Sequence, residues 1–244
     1  MPPRGNSRGG TFHAYKIMIE LKENETLEDL LIDGLKIIQS KDLYRFSSDA
    51  VMLSKFASFK KGDKVIDLCA GSGIVGLHFY ALHRELASVK EVEIQPELAS
   101  LCQRSVEYNG LQEVFAVENM PLQELPSDEN GKYSLVLCNP PYKKAGSGET
   151  NPIKSVAIAR HELTVTLHEV VTTAKRLLSH GGRFCICQRI ERFTDVFAEM
   201  RNAGIEPYKL QFAVAAEGKE PYLFMVEGVK GVSRKFTVLS TILN

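Results

Sequence analysis

Lys64-Val-Ile-Asp67-Leu-Cys69-Ala-Gly71-Ser-Gly73-Ile-Val-Gly76 decides the fold of this chain. Lys64 to Cys69 is a short β run. Ile74 to Leu86 has a helical pattern. The glycines between and after them make a G-x-G-x-x-G turn from strand into helix, which alone is a weak signal. Working outward, Ser88 to Ile94 reads as a second strand, and Pro96 opens a helix that ends near Asn109-Gly110. Val114 to Val117 and Tyr133 to Cys138 are further strands. Thr166 to Ser179 is a helix stopped by Gly181-Gly182, followed by a strand, Arg183 to Cys187. Arg192 to Asn202 is helical, and Leu210 to Ala215 and Tyr222 to Val226 are closing strands. Strands that alternate with helices imply an α/β fold: a mainly parallel sheet with right-handed crossovers and helices on both faces. Upstream, Leu35 to Gln39 is a strand candidate, and a helix opens at Ser47-Ser48-Asp49 and runs to about Phe59.

The glycine turn allows close backbone approach to a ligand, and a helix N-terminus favours negative charge. About twenty residues on, Glu93 stands where an acid suits ribose hydroxyls. The pattern asks for an adenosine-bearing ligand, either NAD or S-adenosyl-L-methionine. Three features favour the second. Asp67 precedes the first glycine by four residues, where a methionine ammonium or a bridging water could be held. The domain follows an N-terminal extension. Above all, a dinucleotide fold gives no reason for Asn139-Pro140-Pro141-Tyr142 after the strand Tyr133–Cys138. Asn119, just beyond the third strand of the run that starts at Lys64, is placed to meet the adenine amine.

Asn139-Pro140-Pro141-Tyr142 suits the alkylation of a flat, amino-bearing group. Such an amine is a poor nucleophile because its lone pair is delocalised. The Asn139 side-chain oxygen and the Pro140 carbonyl would accept its two hydrogens and favour the pyramidal form. The prolines fix φ and remove backbone donors. Tyr142 would stack on the flat group. Adenine N6 and a glutamine side-chain amide both fit.

Formal net charge is zero over 244 residues. Residues 87–130 are rich in acid, with only Lys90 and Arg104 as cations. After Tyr142 the balance reverses, with Lys143, Lys144, Lys154 and Arg160 against Glu149. These cations are candidates for RNA phosphates. His161 reads as a structural hydrogen-bonder. The five cysteines are scattered and read as reduced thiols of a cytoplasmic protein. No metal site is expected. No run approaches the roughly 18 apolar residues of a membrane span. Residues 1–17 read as a disordered tail without a signal-peptide core, and Met18 as a natural start. Residues 18–60 read as an extension packed on the main domain, 61–244. The sequence leaves the oligomeric state, monomer or dimer, open.

Together these residues resemble class I S-adenosylmethionine-dependent methyltransferases of the amino-methylating Asn-Pro-Pro-Tyr group. Within it the chain is most similar to bacterial tRNA(Val) anticodon-loop adenine-N6 methyltransferases. Phe46-Ser-Ser-Asp-Ala-Val-Met-Leu53, Val92-Glu-Ile-Gln-Pro96, Arg104-Ser-Val-Glu-Tyr-Asn109, Ala157-Ile-Ala-Arg-His-Glu162 and Val226-Glu-Gly-Val-Lys230 carry the closer match. The resemblance implies a Rossmann-like, seven-stranded sheet with an antiparallel last strand. It places Ser48 and Asp49 near the methionine end of the cofactor, and a tRNA as acceptor. Asn119 departs from the usual Asp. The rival is an N5-glutamine methyltransferase acting on a translation factor. Those enzymes usually carry a larger N-terminal domain than the segment before Lys60.

Overall fold

The computed structural model describes residues 19–140, 142 and 165–244. Pro141, Lys143, Lys144, Lys154, Arg160 and His161 lie outside the described residues, as does the tail through Met18.

The chain opens with an antiparallel hairpin, β1 (Glu25–Asp29) and β2 (Lys36–Ser40), then α1 (Ser48–Phe56). β3 (Lys64–Leu68), α2 (Ile74–Leu82), β4 (Ser88–Glu93), α3 (Pro96–Tyr108), β5 (Phe115–Asn119) and β6 (Tyr133–Cys138) follow. α4 (Leu167–Leu177), β7 (Leu178–Arg189), α5 (Phe193–Asn202), β8 (Ile205–Val214) and β9 (Pro221–Lys230) complete the main sheet. Two short strands, β10 (Thr237–Val238) and β11 (Ile242–Leu243), extend its edge along β8.

Seven strands in the order β8-β9-β7-β6-β3-β4-β5 form the body of the sheet. β3 to β7 pair in parallel, and β9 runs antiparallel to both β7 and β8. The expected seven-stranded sheet with an antiparallel last strand is therefore present, with β10 and β11 added at its edge.

Alternation along the central strands builds two cores. Val65, Leu135, Leu137 and Met225 pack with Leu53 and Phe79 from α1 and α2. Ile66, Val136, Phe184 and Phe224 pack with Val170, Val171 and Met200 from α4 and α5. Each fully buried side chain of this size contributes about 1.5–3 kcal/mol. α4 starts on a capping box: Glu169 N–H donates to Thr166 Oγ1 at 3.2 Å, and Thr166 N–H donates to Glu169 Oε2 at 2.7 Å.

Three differences from the sequence reading have physical causes. Gly181-Gly182 does not stop α4, because the chain already turns extended at Leu178 (φ −67°, ψ 136°). The glycine pair sits inside β7, beside the register shift between Tyr133 and Leu135 of β6. The helix from Ser48 ends at Phe56 rather than Phe59, because the backbone turns extended at Ala57 (φ −58°, ψ 135°). β1, Glu-Thr-Leu-Glu-Asp, is too polar to signal a strand and exists by pairing with β2. The hairpin is fastened to α3 and the residue after it: Ile38 N–H donates to Ser105 Oγ at 2.9 Å, and Lys36 N–H to Asn109 Oδ1 at 3.0 Å.

Candidate active site

A cleft of about 900 Å³, including space open to solvent, lies at the C-terminal ends of β3, β4, β5 and β6. This is where open α/β sheets bind ligands. Gly71, Glu93 and Gln95 wall one side, and Asn139, Pro140 and Tyr142 another. Tyr44 and Phe46, before α1, also line it.

The glycine turn is demanded by geometry. Gly73 has φ +85° at the start of α2, and a Cβ there would stand 2.4 Å from Cys102 Sγ. A Cβ on Gly76 would stand 2.0 Å from Glu91 Oε1, so that position admits no side chain while Glu91 stays put. Ser72 Oγ accepts from Gln39 Nε2 at 2.6 Å, which ties the turn to β2.

Glu93 is held rigidly. Its Oε2 accepts the Gly71 N–H at 2.8 Å, and its Oε1 accepts the Gln95 N–H at 2.9 Å. Burial pushes this carboxyl up, and the backbone N–H groups pull it back. Each oxygen keeps a lone pair. An aimed, nearly buried acceptor at the cleft wall fits the paired hydroxyls of a ribose.

Asp67 takes a different place from the one read in the sequence. Its side chain is 0% exposed and does not wall the cleft. It lies beside Glu91, its direct partner in the β3–β4 register, under the start of α2. Burial pushes Asp67 up to about 8 and Glu91 well above the usual carboxylate range. Asp67 is thus a buried neutral acid, without the negative charge that would hold an ammonium.

Asn119 also turns away from the cleft. Its Nδ2 donates to the carbonyls of Glu93 at 2.9 Å and Ile94 at 3.1 Å, which clamps β5 to the end of β4. An aspartate cannot donate, so the departure from Asp has a structural reason here. Ser48 is exposed at the start of α1 and does not wall the cleft.

Asp49 meets the Asn-Pro-Pro-Tyr word. Its carboxylate is 5% exposed, and the Tyr142 hydroxyl donates toward Asp49 Oδ2 at 2.9 Å. The same hydroxyl stands 2.7 Å from Asn139 Oδ1. The Arg189 guanidinium lies 5.3 Å from the ring centres of both Tyr142 and Tyr222. Sequence reasoning missed Tyr44, Phe46, Gln39, Arg189 and Tyr222. Only the aromatic pair flanking Arg45, just before the Ser-Ser-Asp word, carried a signal. Among the described residues, no group of three or more His, Cys, Asp or Glu side chains could hold a metal ion. No helix among them is long and apolar enough to cross a membrane.

Residues 47–202 match the family described as methyltransferase small domain. The chain belongs to that family. Among curated relatives of this methyltransferase is a tRNA1(Val) (adenine(37)-N6)-methyltransferase from Shewanella frigidimarina. It is 24% identical over 177 residues, covering 71% of this chain and 70% of the relative. A protein of the same name from Dyadobacter fermentans is 25% identical, covering 68% of this chain and 67% of the relative. Among solved structures, the M. jannaschii tRNA m1G37 methyltransferase superposes with a TM-score of 0.59 at 15% identity, over 86% of this chain and 58% of that one. A geranyl diphosphate C-methyltransferase from Streptomyces coelicolor, solved with S-adenosyl-L-homocysteine, gives 0.54 at 12%, over 75% and 77%. These structures share the fold.

Proposed function

We propose that this methyltransferase uses S-adenosyl-L-methionine to methylate the exocyclic N6 of an adenine in tRNA, in the anticodon loop, as a cytoplasmic enzyme. One observation carries the reading: Asn139, Pro140 and Tyr142 share a single cleft with Gly71 and Glu93. Two substrates can meet there. The names of the curated relatives point the acceptor toward tRNA.

Glu93 and the glycine turn hold the adenosine half of the methyl donor. The donor supplies a methyl group already activated on a sulfonium, so no strong base or metal is required. Asn139 and the Pro140 carbonyl hold the two hydrogens of the target amine. Tyr142 offers its ring to the base. Alignment of two bound reactants supplies up to about 7–11 kcal/mol of barrier reduction. An anticodon-loop base is already single-stranded, so its extrusion is cheap compared with opening a duplex. Lys143, Lys144, Lys154 and Arg160 are the candidates for loop phosphates, and such contacts make affinity fall with salt.

Nucleoside mass spectrometry of tRNA from cells with and without the gene tests this. Loss of N6-methyladenosine on deletion is the expected result. An unchanged tRNA profile, with methyl-glutamine lost from a protein instead, would establish the rival acceptor.

A further inference from the structure

Tyr142 has one hydroxyl proton and two oxygens to give it to. Asp49 Oδ2 stands 2.9 Å from Oη, and Asn139 Oδ1 stands 2.7 Å away on another side. Cys187 Sγ, at 3.7 Å, is at best a weak donor to the same oxygen and does not alter the count. Burial holds the phenol well above its ordinary value, so the proton is present at neutral pH.

One proton cannot bridge both contacts well. A hydrogen bond to an ionised carboxylate is about twice as strong as one to a neutral amide. The Arg189 guanidinium over the Tyr142 ring makes the hydroxyl a better donor. The proton therefore goes to Asp49. The contact with Asn139 then needs a proton from the other side. An amide has the same shape when turned end for end, and only the hydrogen-bond network decides which end is nitrogen. With Nδ2 turned to Tyr142 Oη, every contact in the chain has a donor and an acceptor.

We propose that Asp49 is a positioning residue that, through the Tyr142 hydroxyl, sets which end of the Asn139 amide faces the acceptor amine. The consequence for the reaction is direct. Asn139 walls the cleft, and Tyr142 is the sole hydrogen-bond partner of its amide among the described residues. With Nδ2 on Tyr142, Oδ1 is presented to the cleft and accepts from the amine. With Oδ1 on Tyr142, two N–H groups face the amine, and its lone pair is opposed rather than released. Asp49 thus acts on the acceptor side, where the family resemblance had assigned it to the methyl donor.

This inference rests on the proposed amine acceptor, so its test is run on whichever acceptor the unmodified enzyme labels. Asp49→Asn can donate to the tyrosine oxygen and drive the tyrosine proton onto Asn139 Oδ1, which inverts the amide. We expect kcat to fall about 100-fold, the cost of losing one preorganised polar contact. The Kd for S-adenosyl-L-methionine should move less than about two-fold. Tyr142→Phe frees the amide to turn and should cost less in kcat than Asp49→Asn does. The double variant should return to the Tyr142→Phe rate, so that the second substitution rescues the first. A double variant as slow as Asp49→Asn or slower would overturn the proposal. So would a loss of cofactor affinity equal to the loss in kcat/KM. Neutron diffraction of the unmodified protein reads the amide without any acceptor or variant. Deuterium on Asn139 Nδ2 aimed at Tyr142 Oη is expected, and oxygen in that place overturns the proposal even if tRNA is the substrate. If no tRNA is labelled but the deuterium is there, the proposed function falls and the positioning role stands.

Discussion

The two ends of the sheet treat buried charge in opposite ways. At the N-terminal end, the Asp63 carboxylate is spent on its neighbours. Asp63 accepts from Lys60 N–H at 2.7 Å, from Ser134 Oγ at 2.7 Å and from Arg183 Nη2 at 2.6 Å. The Asp63–Arg183 pair is 3% and 1% exposed, and it ties the residue before β3 to β7. At the C-terminal end, the carboxylates are oriented without being exhausted. Glu93 is aimed by two backbone N–H groups and keeps lone pairs for the cleft, while Asp49 and Asn139 both meet the single Tyr142 hydroxyl. One end is closed for stability, and the other is left open for chemistry.

Breaking the closed end should have the largest effect. Asp63→Ala strands the Arg183 guanidinium in the core, and unfolding in urea should show a loss of about 3–5 kcal/mol. The kcat of the folded fraction should be unchanged. A loss under about 1 kcal/mol would mean the pair is dispensable. At the open end, Asn139→Ala should lower kcat by about 100–1000-fold, or 2.7–4 kcal/mol, while calorimetric binding of S-adenosyl-L-methionine is retained. Gly76→Ala sharpens the boundary between the two, since its methyl group would enter the Glu91 carboxyl. Overpacking of this kind costs about 1–3 kcal/mol, and a neutral melting shift would show that Glu91 can move.

The Asp67–Glu91 pair makes a subtler prediction about pH. Both acids have raised values in the folded state. The folded protein therefore holds protons that the unfolded chain releases above about pH 4, and stability falls as pH rises from there toward 8. Glu91→Gln should flatten that slope in melting scans between about pH 5 and 8. An equal slope in both proteins would remove the pair from the pH response. Smallest is Asn119→Asp, which loses two donated bonds at a partly exposed strand end and should cost ~1 kcal/mol. A gain in cofactor affinity instead would show that an acid there reaches the adenine.

How far the sequence discloses this arrangement depends on the range of the interaction. β3, Gly71, Gly73 and Glu93 were legible because strand, turn and acid follow in fixed order along one βαβ unit. The direction of Asp67 was not. Its spacing from Gly71 is compatible with the cleft, but strand alternation and the pairing of β3 with β4 turn it onto Glu91. Asn119 kept its expected place at a strand end, yet its amide serves the backbone of a neighbouring strand. The Asp49–Tyr142 contact joins residues 93 apart, so no local pattern encodes it. Arg189 reaches Tyr142 only because β7 lies beside β6.

Methyl transfer from labelled S-adenosyl-L-methionine by the purified protein, to a mixture of tRNA from a deletion strain and the matching protein extract, decides between the two acceptors. Label in tRNA, sensitive to ribonuclease and recovered as N6-methyladenosine, is the expected result, with transfer by Asn139→Ala slower by about 100–1000-fold. Label confined to a protein band as methyl-glutamine, with tRNA unlabelled, would contradict it.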